Sequence, residues 1–184
     1  MTYYGGKELA DAFRTVRNNT IKIAEEIPES QYSFKASPDT RSIGDTLAHI
    51  GVATGFQLYT HENKVTNLAS VPFMELFQKF TAEEAKPRTK AELIAFLKSQ
   101  GDTFASFLEG LPESFLAEQV TMPPGAPQAT KSRFEMLMSA KEHEMHHRGQ
   151  LMTMQRINGL VPHITREAQA RMARLAQQAA PAQA

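Results

Sequence analysis

Apolar residues recur every three or four positions along most of this 184-residue chain, which is the spacing of one face of an α-helix. Capping signals agree with that period, since Ser42 stands three residues before Asp45 at the start of one such stretch. Pro28 and Gly159 follow the ends of two others. The pattern predicts helices over residues 7–27, 43 to about 60, around 73–80, 89–108, 132 to about 158, and 165–178.

The connections between these stretches are short and rich in residues that break helices. Residues 122–127 read MPPGAP and must form a loop, because so many prolines suit neither a helix nor a strand. We find no internal repeat and no strand-like alternation. The expected fold is all-α, an up-down four-helix bundle with short extra helices. We expect one domain over residues 1–184, with residues from about 179 to 184 forming a disordered tail.

Composition narrows the classes of function. Lys and Arg total 20 and Asp and Glu total 20, so no net charge favours a nucleic acid or an anionic membrane as partner. The N-terminal residues lack the pattern of a signal peptide, and no apolar stretch approaches the roughly 18 residues of a membrane span. We therefore expect a cytoplasmic protein whose partner is a small molecule.

The chain contains 0 cysteines and 6 histidines. Without cysteine it can form no disulfide, no thiolate ligand and no covalent cysteine intermediate, so any sulfur chemistry must arrive with a substrate. Divalent metals held by imidazole, carboxylate or water are compatible with this composition.

Two histidines, His143 and His147, are spaced i and i+4 on the longest predicted helix, so their rings leave the same face. That face otherwise carries apolar residues such as Met136 and Leu151. His49 lies among apolar residues of the second helix, and facing helices would bring it to the same ion. Three imidazoles would leave coordination positions for water or substrate, as in catalytic sites.

Less specific interpretations of the histidines stay open at this point. An i, i+4 pair is equally typical of a solvated helix face, and a single histidine such as His49 is more often a core residue than a ligand. His146 is expected to be exposed or to contact a ligand. His61 and His163 fall near predicted helix ends, where capping or solvent exposure is usual.

A competing motif occupies the same residues. Residues 143–147 read HEMHH, which matches the HExxH helix of zinc proteases, with Glu144 as the general base. The third histidine of the longer protease motif is missing, although Glu167 is a conceivable downstream ligand. Such proteases also use an edge strand to align a peptide, and we predict no strand.

Residues 143–151 read HEMHHRGQL, which resembles the HxxHHRGQL signature of the DinB/YfiT-like superfamily of small bacterial metal-binding bundles. Residues 42–50, SIGDTLAHI, are similar to the second-helix motif of that family, and residues 27–34, IPESQYSF, to its first loop. The resemblance covers nearly the whole chain. It implies that His49, His143 and His147 bind a divalent zinc, nickel or iron ion, with water completing the coordination.

The resemblance also bears on the reaction. Family members of understood activity are similar to thiol transferases, in which the metal binds a low-molecular-weight thiol such as bacillithiol or mycothiol and an electrophile accepts it. We therefore expect a metal-dependent transferase that activates a thiol or water, with Glu144 as a candidate proton acceptor. The alternatives are a non-catalytic stress-response protein that binds metal or ligand, and an HExxH metalloprotease. The family also implies a homodimer, for which a methionine-rich patch offers a surface, although most of these residues suit the core: Met136, Met138, Met145, Met152 and Met154.

Overall fold

A computed structural model describes residues 4–179 of the chain and places most of them in α-helices. The helices are α1 (Gly6–Glu26), α2 (Ile43–Ala53), α3 (Gly55–Glu62), α4 (Phe73–Glu84), α5 (Lys90–Glu109), α6 (Glu113–Ala117), α7 (Arg133–Ile157) and α8 (His163–Ala179). Each helix predicted from the sequence is present. Of the tail predicted from about residue 179, Ala179 belongs to α8, and residues 180–184 lie outside the described part of the chain.

The starts of α2, α5 and α7 are fixed by reciprocal capping. In each, a hydroxyl accepts a hydrogen bond from the third helical backbone N–H, and the carboxylate of that third residue accepts one from the capping residue. Each such hydroxyl cap stabilises a helix by about 1 kcal/mol. The three pairs are Ser42 with Asp45, Thr89 with Glu92, and Ser132 with Glu135.

Four long helices, α1, α2, α5 and α7, enclose the core. Helix α1 packs against α5 and α7, and α2 packs against the same two helices, so α1 and α2 lie across the bundle from each other. Two apolar clusters fill the interior, one around Ile23, Leu47 and Leu97, the other around Phe13 and Phe104. The all-α four-helix bundle expected from the sequence is confirmed.

Contacts along the helices give their directions. Neighbouring helices run antiparallel at α1–α5 and α2–α7, because residues late in one helix meet residues early in the other. Helices α1 and α7 run parallel, because their contacts advance together along both. The contacts are Arg14–Glu109, Glu25–Lys98, His49–His143, Gln57–Ser139, Tyr4–Phe134 and Arg17–Glu144, of which Gln57 lies on α3, directly after α2, and Tyr4 lies just before α1. This order brings α2 and α7, which carry the three candidate ligands, face to face.

A single buried arginine joins the four long helices. The Nε of Arg17, on α1, donates to both carboxylate oxygens of Glu144 on α7 at 3.0 Å. Its Nη1 donates to the carbonyl of Leu97 on α5 at 2.7 Å, and its Nη2 to the carbonyl of Ile50 on α2 at 3.3 Å. A Cβ at position 101 would lie 2.7 Å from the Arg17 Cγ, so the glycine at Gly101 leaves the room that this side chain needs.

The structure departs from the sequence prediction in four places, the first of which is helix α6 (Glu113–Ala117), which was not predicted. A two-stranded antiparallel hairpin joins Gln119–Thr121 to Thr130–Ser132, where no strand was predicted, because three-residue strands are too short to show alternation. The second predicted helix is two helices that meet at Thr54. Helix α4 continues four residues beyond its predicted end, to Glu84.

The described residues also bear on two expectations about surfaces. Within residues 4–179, no helix has both the length and the apolar character needed to cross a bilayer. Met136 and Met154 are buried in the core, Met138 and Met152 pack against it, and Met145 is 43% exposed. The methionine-rich segment is therefore mostly core and offers no continuous apolar surface for a second copy of the chain.

Candidate metal centre

The side chains of His49, His143 and His147 meet between α2 and α7. The Nε2 atoms of His49 and His143 are 3.3 Å apart, and those of His147 and His143 are 3.1 Å apart. One nitrogen from each ring lies within 4.8 Å of the others. The i, i+4 spacing on α7 sets two of the rings on one face, and the antiparallel packing of α2 brings the third against them.

The Nδ1 atoms of two of these histidines each contact a side-chain oxygen. The Nδ1 of His49 is 2.8 Å from Oε2 of Glu84, and the Nδ1 of His147 is 2.8 Å from Oε1 of Gln150. Because these oxygens only accept hydrogen bonds, each Nδ1 carries the proton in the neutral ring, a tautomer assigned from the partners. The Nε2 lone pairs of His49 and His147 therefore both point toward Nε2 of His143.

Converging lone pairs need a cation or a proton between them. Zinc binds imidazole nitrogen at about 2.1 Å, which in a tetrahedral site separates two nitrogens by roughly 3.4 Å. The separations of 3.1 and 3.3 Å are near that value. Hydrogen bonds from the outer nitrogens to oxygen acceptors are the usual support of metal-binding histidines. The three imidazoles and their partners thus fit a divalent ion in donor type, spacing and orientation.

The electrostatics of the cluster favour neutral rings. Burial and, to a smaller extent, the neighbouring imidazoles of His147 and His49 together lower the pKa of His143 to about 4. Burial also lowers the pKa of His147, although its hydrogen bond to Gln150 acts in the opposite sense. Both rings are therefore unprotonated at neutral pH and have lone pairs available for a metal.

A cavity of about 780 Å³ opens beside the three histidines and reaches the side chain of His147. Its walls carry both signs of charge, with Lys35 and Arg41 near Asp39 and Asp45. Ligand pockets of small-molecule proteins commonly have volumes of roughly 300–1,000 Å³. The cavity is therefore large enough for a polar small molecule to reach the histidines.

Two residues that the sequence analysis did not identify belong to this site. Glu84 holds the ring of His49 through Oε2 and accepts a hydrogen bond from Nε of Arg41 at 3.0 Å through Oε1. Glu84 was missed because the predicted helix ended at residue 80, four residues before the end of α4. No proline or glycine interrupts residues 81–84, and this absence of a breaker was the available signal. Arg41 precedes the cap of α2 in a loop, where sequence gives no such signal.

Glu144, the candidate proton acceptor, lies in a different environment from the histidines. Its side chain is 2% exposed, and both of its oxygens bind Arg17 on α1. A general base must reach the reacting proton directly or through one water. The ion pair therefore gives Glu144 a structural partner on α1.

Of the three histidines outside the cluster, two differ from expectation, and Gly149 does so as well. His146 is exposed, as predicted. His61 and His163 are each 1% exposed, not capping or solvated: His61 contacts Gln57 and Arg133, and His163 contacts Asn19. A glycine in a signature motif suggests close helix packing, yet a Cβ at Gly149 would meet nothing within 4 Å.

Comparison with known proteins agrees with this architecture. The Bacillus subtilis (strain 168) protein YjoA is 26% identical over 152 residues, which are 83% of this chain and 90% of YjoA. The crystal structure of a DinB-like protein, YjoA from Bacillus subtilis, gives a TM-score of 0.61 at 23% identity and covers 83% of this chain and 92% of that one.

YfiT from Bacillus subtilis, reported as a probable metal-dependent hydrolase with an unusual four-helix bundle topology, gives a TM-score of 0.66 at 10% identity. The match covers 87% of this chain and 91% of YfiT. At these identities the solved structures show a shared fold. A family model described as the DinB superfamily matches residues 12–151, which is more than half of the sequence. The chain therefore belongs to the DinB superfamily.

Proposed function

We propose that this protein is a metal-dependent enzyme in which His49, His143 and His147 hold a divalent ion and a low-molecular-weight thiol or water is the nucleophile. The observation that carries the proposal is the convergence of three imidazole nitrogens next to an open cavity of about 780 Å³. A divalent ion bound there would act as a Lewis acid and lower the pKa of a thiol or a water molecule.

The protein's own residues would orient the ligands and the substrate. Glu84 and Gln150 fix the ring orientation of His49 and His147 through their Nδ1 atoms. Lys35 and the nearby acidic side chains would bind a small molecule that carries both charges. Bacillithiol, one of the thiols implied by the family resemblance, has this character because it carries an amine and carboxylates, and the lack of cysteine agrees with a borrowed sulfur nucleophile.

Hydrolysis is the second candidate reaction. YfiT is reported as a probable metal-dependent hydrolase, and the same three imidazoles would serve if water replaced the thiol. Imidazole suits zinc, nickel and iron alike, so the donor set does not select among them. We further propose that the protein acts in the cytoplasm and that it forms a homodimer, of which the second is implied by the resemblance.

The geometry favours this enzyme over the other two interpretations. A protein that only sequesters metal would gain by closing the coordination shell, whereas here a cavity reaches the triad. A metalloprotease of the HExxH type needs its glutamate beside the ion, whereas Glu144 binds Arg17.

The first test is metal content. Protein purified without added metal should contain about one divalent ion per chain by elemental analysis, and His143→Ala should lose it while its circular dichroism spectrum stays helical. His146→Ala is the matched control, because His146 is an exposed histidine of the same helix outside the triad. Metal at the wild-type level in His143→Ala would show that the ligand assignment is wrong.

The second test is turnover. The wild-type protein with its metal should accelerate transfer of bacillithiol to an electrophile, or hydrolysis of an ester or amide, and His143→Ala should abolish that rate. A protein that binds one ion but accelerates neither reaction would support the non-catalytic alternative.

A further inference from the structure

We propose that a second, apolar pocket beside His49 binds the hydrophobic ring of the molecule that reacts with the nucleophile. This inference rests on the proposed function for the meaning of the pocket, although its binding can be tested without turnover. The pocket has a volume of about 320 Å³ and lies between α2 and α4. At about 30 Å³ for one water molecule, this corresponds to roughly ten waters, or a ligand group of similar size.

Four phenylalanines line one side of this pocket. Phe73 and Phe77 stack with their ring centroids 6.2 Å apart, and Phe56 meets Phe73 edge-to-face at 6.0 Å. Phe80 completes the wall, and a Cβ at Gly55 would lie 2.6 Å from its ring, so the glycine leaves room for it. Flat apolar groups pack well on such walls, because offset-stacked and edge-to-face contacts are both available.

The aromatic wall is left partly uncovered by the fold. Phe73 is 57% exposed and Phe77 is 54% exposed, while Leu76 is the buried residue of α4. Aromatic side chains of this size usually bury most of their surface in a domain. Exposed rings that line a concave pocket next to a candidate metal centre are typical of a binding site for an apolar ligand.

The apolar pocket and the charged cavity approach the triad from two sides. Arg41, Thr81 and Glu84 line both, whereas His147 lines the charged cavity and His49 lines the apolar pocket. Two ligands of unlike chemistry could therefore reach the imidazoles together. The polar nucleophile would lie in the charged cavity, and the apolar ring of the electrophile would lie against Phe73 and Phe77.

The polar residues of the apolar pocket are few, which constrains the ligand class. Besides the aromatic and aliphatic wall, it offers the ring of His49, the hydroxyl of Thr81 and the Arg41–Glu84 pair. The ligand that fits is a ring-bearing molecule whose reactive carbon lies at one end, toward His49. A ligand with several charges would leave those charges against phenyl rings without partners.

The direct test is binding of N-phenyl-1-naphthylamine, a neutral probe whose fluorescence rises in apolar surroundings. We expect saturable binding to the wild-type protein, weakened about tenfold by Phe77→Ser. Met74→Ser is the matched control, because Met74 is 64% exposed on the same helix and does not line the pocket. We expect its probe affinity to stay within about twofold of wild type. Equal affinities in wild type and Phe77→Ser would overturn the proposal.

A second variant that fills the pocket tests the proposal even if Phe77→Ser disturbs the fold. Ala53 lines the pocket at the end of α2, and Ala53→Phe should block the probe from inside while leaving Phe77 in place. Circular dichroism of each variant confirms the fold. Unchanged probe binding in Ala53→Phe would also contradict the proposal.

The exposed phenylalanine rings could instead form a surface for self-association. Sedimentation equilibrium distinguishes this explanation from ligand binding. If Phe77→Ser converts a dimer to a monomer and leaves probe affinity unchanged, α4 is an interface and the proposal is wrong. If the variant keeps the wild-type mass and loses the probe, the pocket is a ligand site.

Turnover links the pocket to the reaction. In the transfer of bacillithiol to 1-chloro-2,4-dinitrobenzene, the thiol sulfur forms a bond to the ring carbon, chloride leaves with the bonding pair, and the thiol proton passes to solvent. Phe77→Ser should lower the rate with this aromatic electrophile about tenfold and leave the rate with iodoacetamide, which has no ring, within twofold. An equal decrease with both electrophiles would overturn the assignment of the pocket to the electrophile.

The two proposals fail in different ways. His143→Ala should lose metal and turnover but retain probe binding, because the probe requires only the apolar wall. If the wild-type protein contains no metal, the proposed function is wrong. Binding of the probe would then still test whether the pocket takes an apolar ligand.

Discussion

Replacing Glu144 by glutamine tests whether its role is structural or catalytic. The substitution keeps the size and shape of the side chain and removes its charge, so the buried guanidinium of Arg17 loses its counter-ion. The side chains of the pair are 3% and 2% exposed, so water cannot replace the lost interaction. We expect a folded protein of lower stability that still binds metal, because Glu144 does not contact the three histidines.

The geometry gives the size of the effect. Two unit charges separated by the 3.0 Å distance of this pair attract by about 5 kcal/mol at an effective dielectric constant of about 20. Removing one partner of a buried pair typically destabilises a protein by about 3–5 kcal/mol, because the other charge stays buried. The glutamine oxygen can still accept one hydrogen bond, so we expect a loss of about 3 kcal/mol. Domains have a total stability of only about 5–15 kcal/mol, so this loss is readily measured.

Urea denaturation followed by far-ultraviolet circular dichroism measures this loss. Glu109→Gln is the matched control, because the Arg14–Glu109 pair joins α1 to α5 at the surface, with side chains 36% and 48% exposed. Such pairs contribute less than about 1 kcal/mol. A double-mutant cycle with Arg17→Met isolates the coupling within the buried pair. If Glu144→Gln is within 1 kcal/mol of wild type, or loses its metal while folded, the structural assignment is refuted.

Four other substitutions, which make up three tests, address separate parts of the structure. Gly149→Ala should raise the free energy of unfolding by up to about 1 kcal/mol, because alanine favours the helix and the added methyl group meets no neighbour. Gly101→Ala should lower the free energy of unfolding, because the methyl group would crowd the side chain of Arg17. Equal effects of the two substitutions in urea denaturation would contradict this contrast. The folded-state pKa of His61 is lowered by burial from 6.5 to about 4, so stability present above pH 6.5 is lost by up to about 3 kcal/mol as the pH falls toward 4. In urea titrations at pH 7 and pH 5, His61→Asn should reduce the loss of unfolding free energy between the two pH values. An unchanged pH dependence would show that His61 does not cause this loss. Glu84→Gln should weaken metal affinity about 10- to 100-fold by competition titration, because it removes the charged partner of His49, and an unchanged affinity would show that this contact does not support the ligand.

The sequence predicted the helices well where caps and period agreed. The hydroxyl–carboxylate pairs that begin α2, α5 and α7 are local, and each helix starts within one residue of its expected position. The order of the helices around the bundle depends on contacts between distant residues, such as Arg17 with Glu144, and no local pattern carries that information. The hairpin was missed for a related reason, since its short strands are held by pairing and by neighbouring loops.

In the candidate site, too, local features could be predicted from the sequence and contacts between distant residues could not. The spacing of His143 and His147 predicts their shared face, and His49, proposed from its apolar surroundings on the second helix, was supported by the family resemblance. The partners of these rings are of two kinds. Glu84 reaches His49 from the end of α4, which depends on tertiary packing, whereas Gln150 follows His147 by three residues on α7 and is a local partner. The HExxH spacing suggested Glu144 as a proton acceptor, whereas its contact with Arg17 on α1 depends on tertiary packing that no local pattern shows.

X-ray absorption spectroscopy of the metal-loaded protein measures the first coordination shell directly. We predict one ion per chain, surrounded by nitrogen ligands that show the multiple-scattering signature of three imidazoles, with oxygen from water in the remaining positions. A shell of oxygen ligands alone, or a spectrum unchanged by His143→Ala, would contradict the claim that the three histidines form a metal centre.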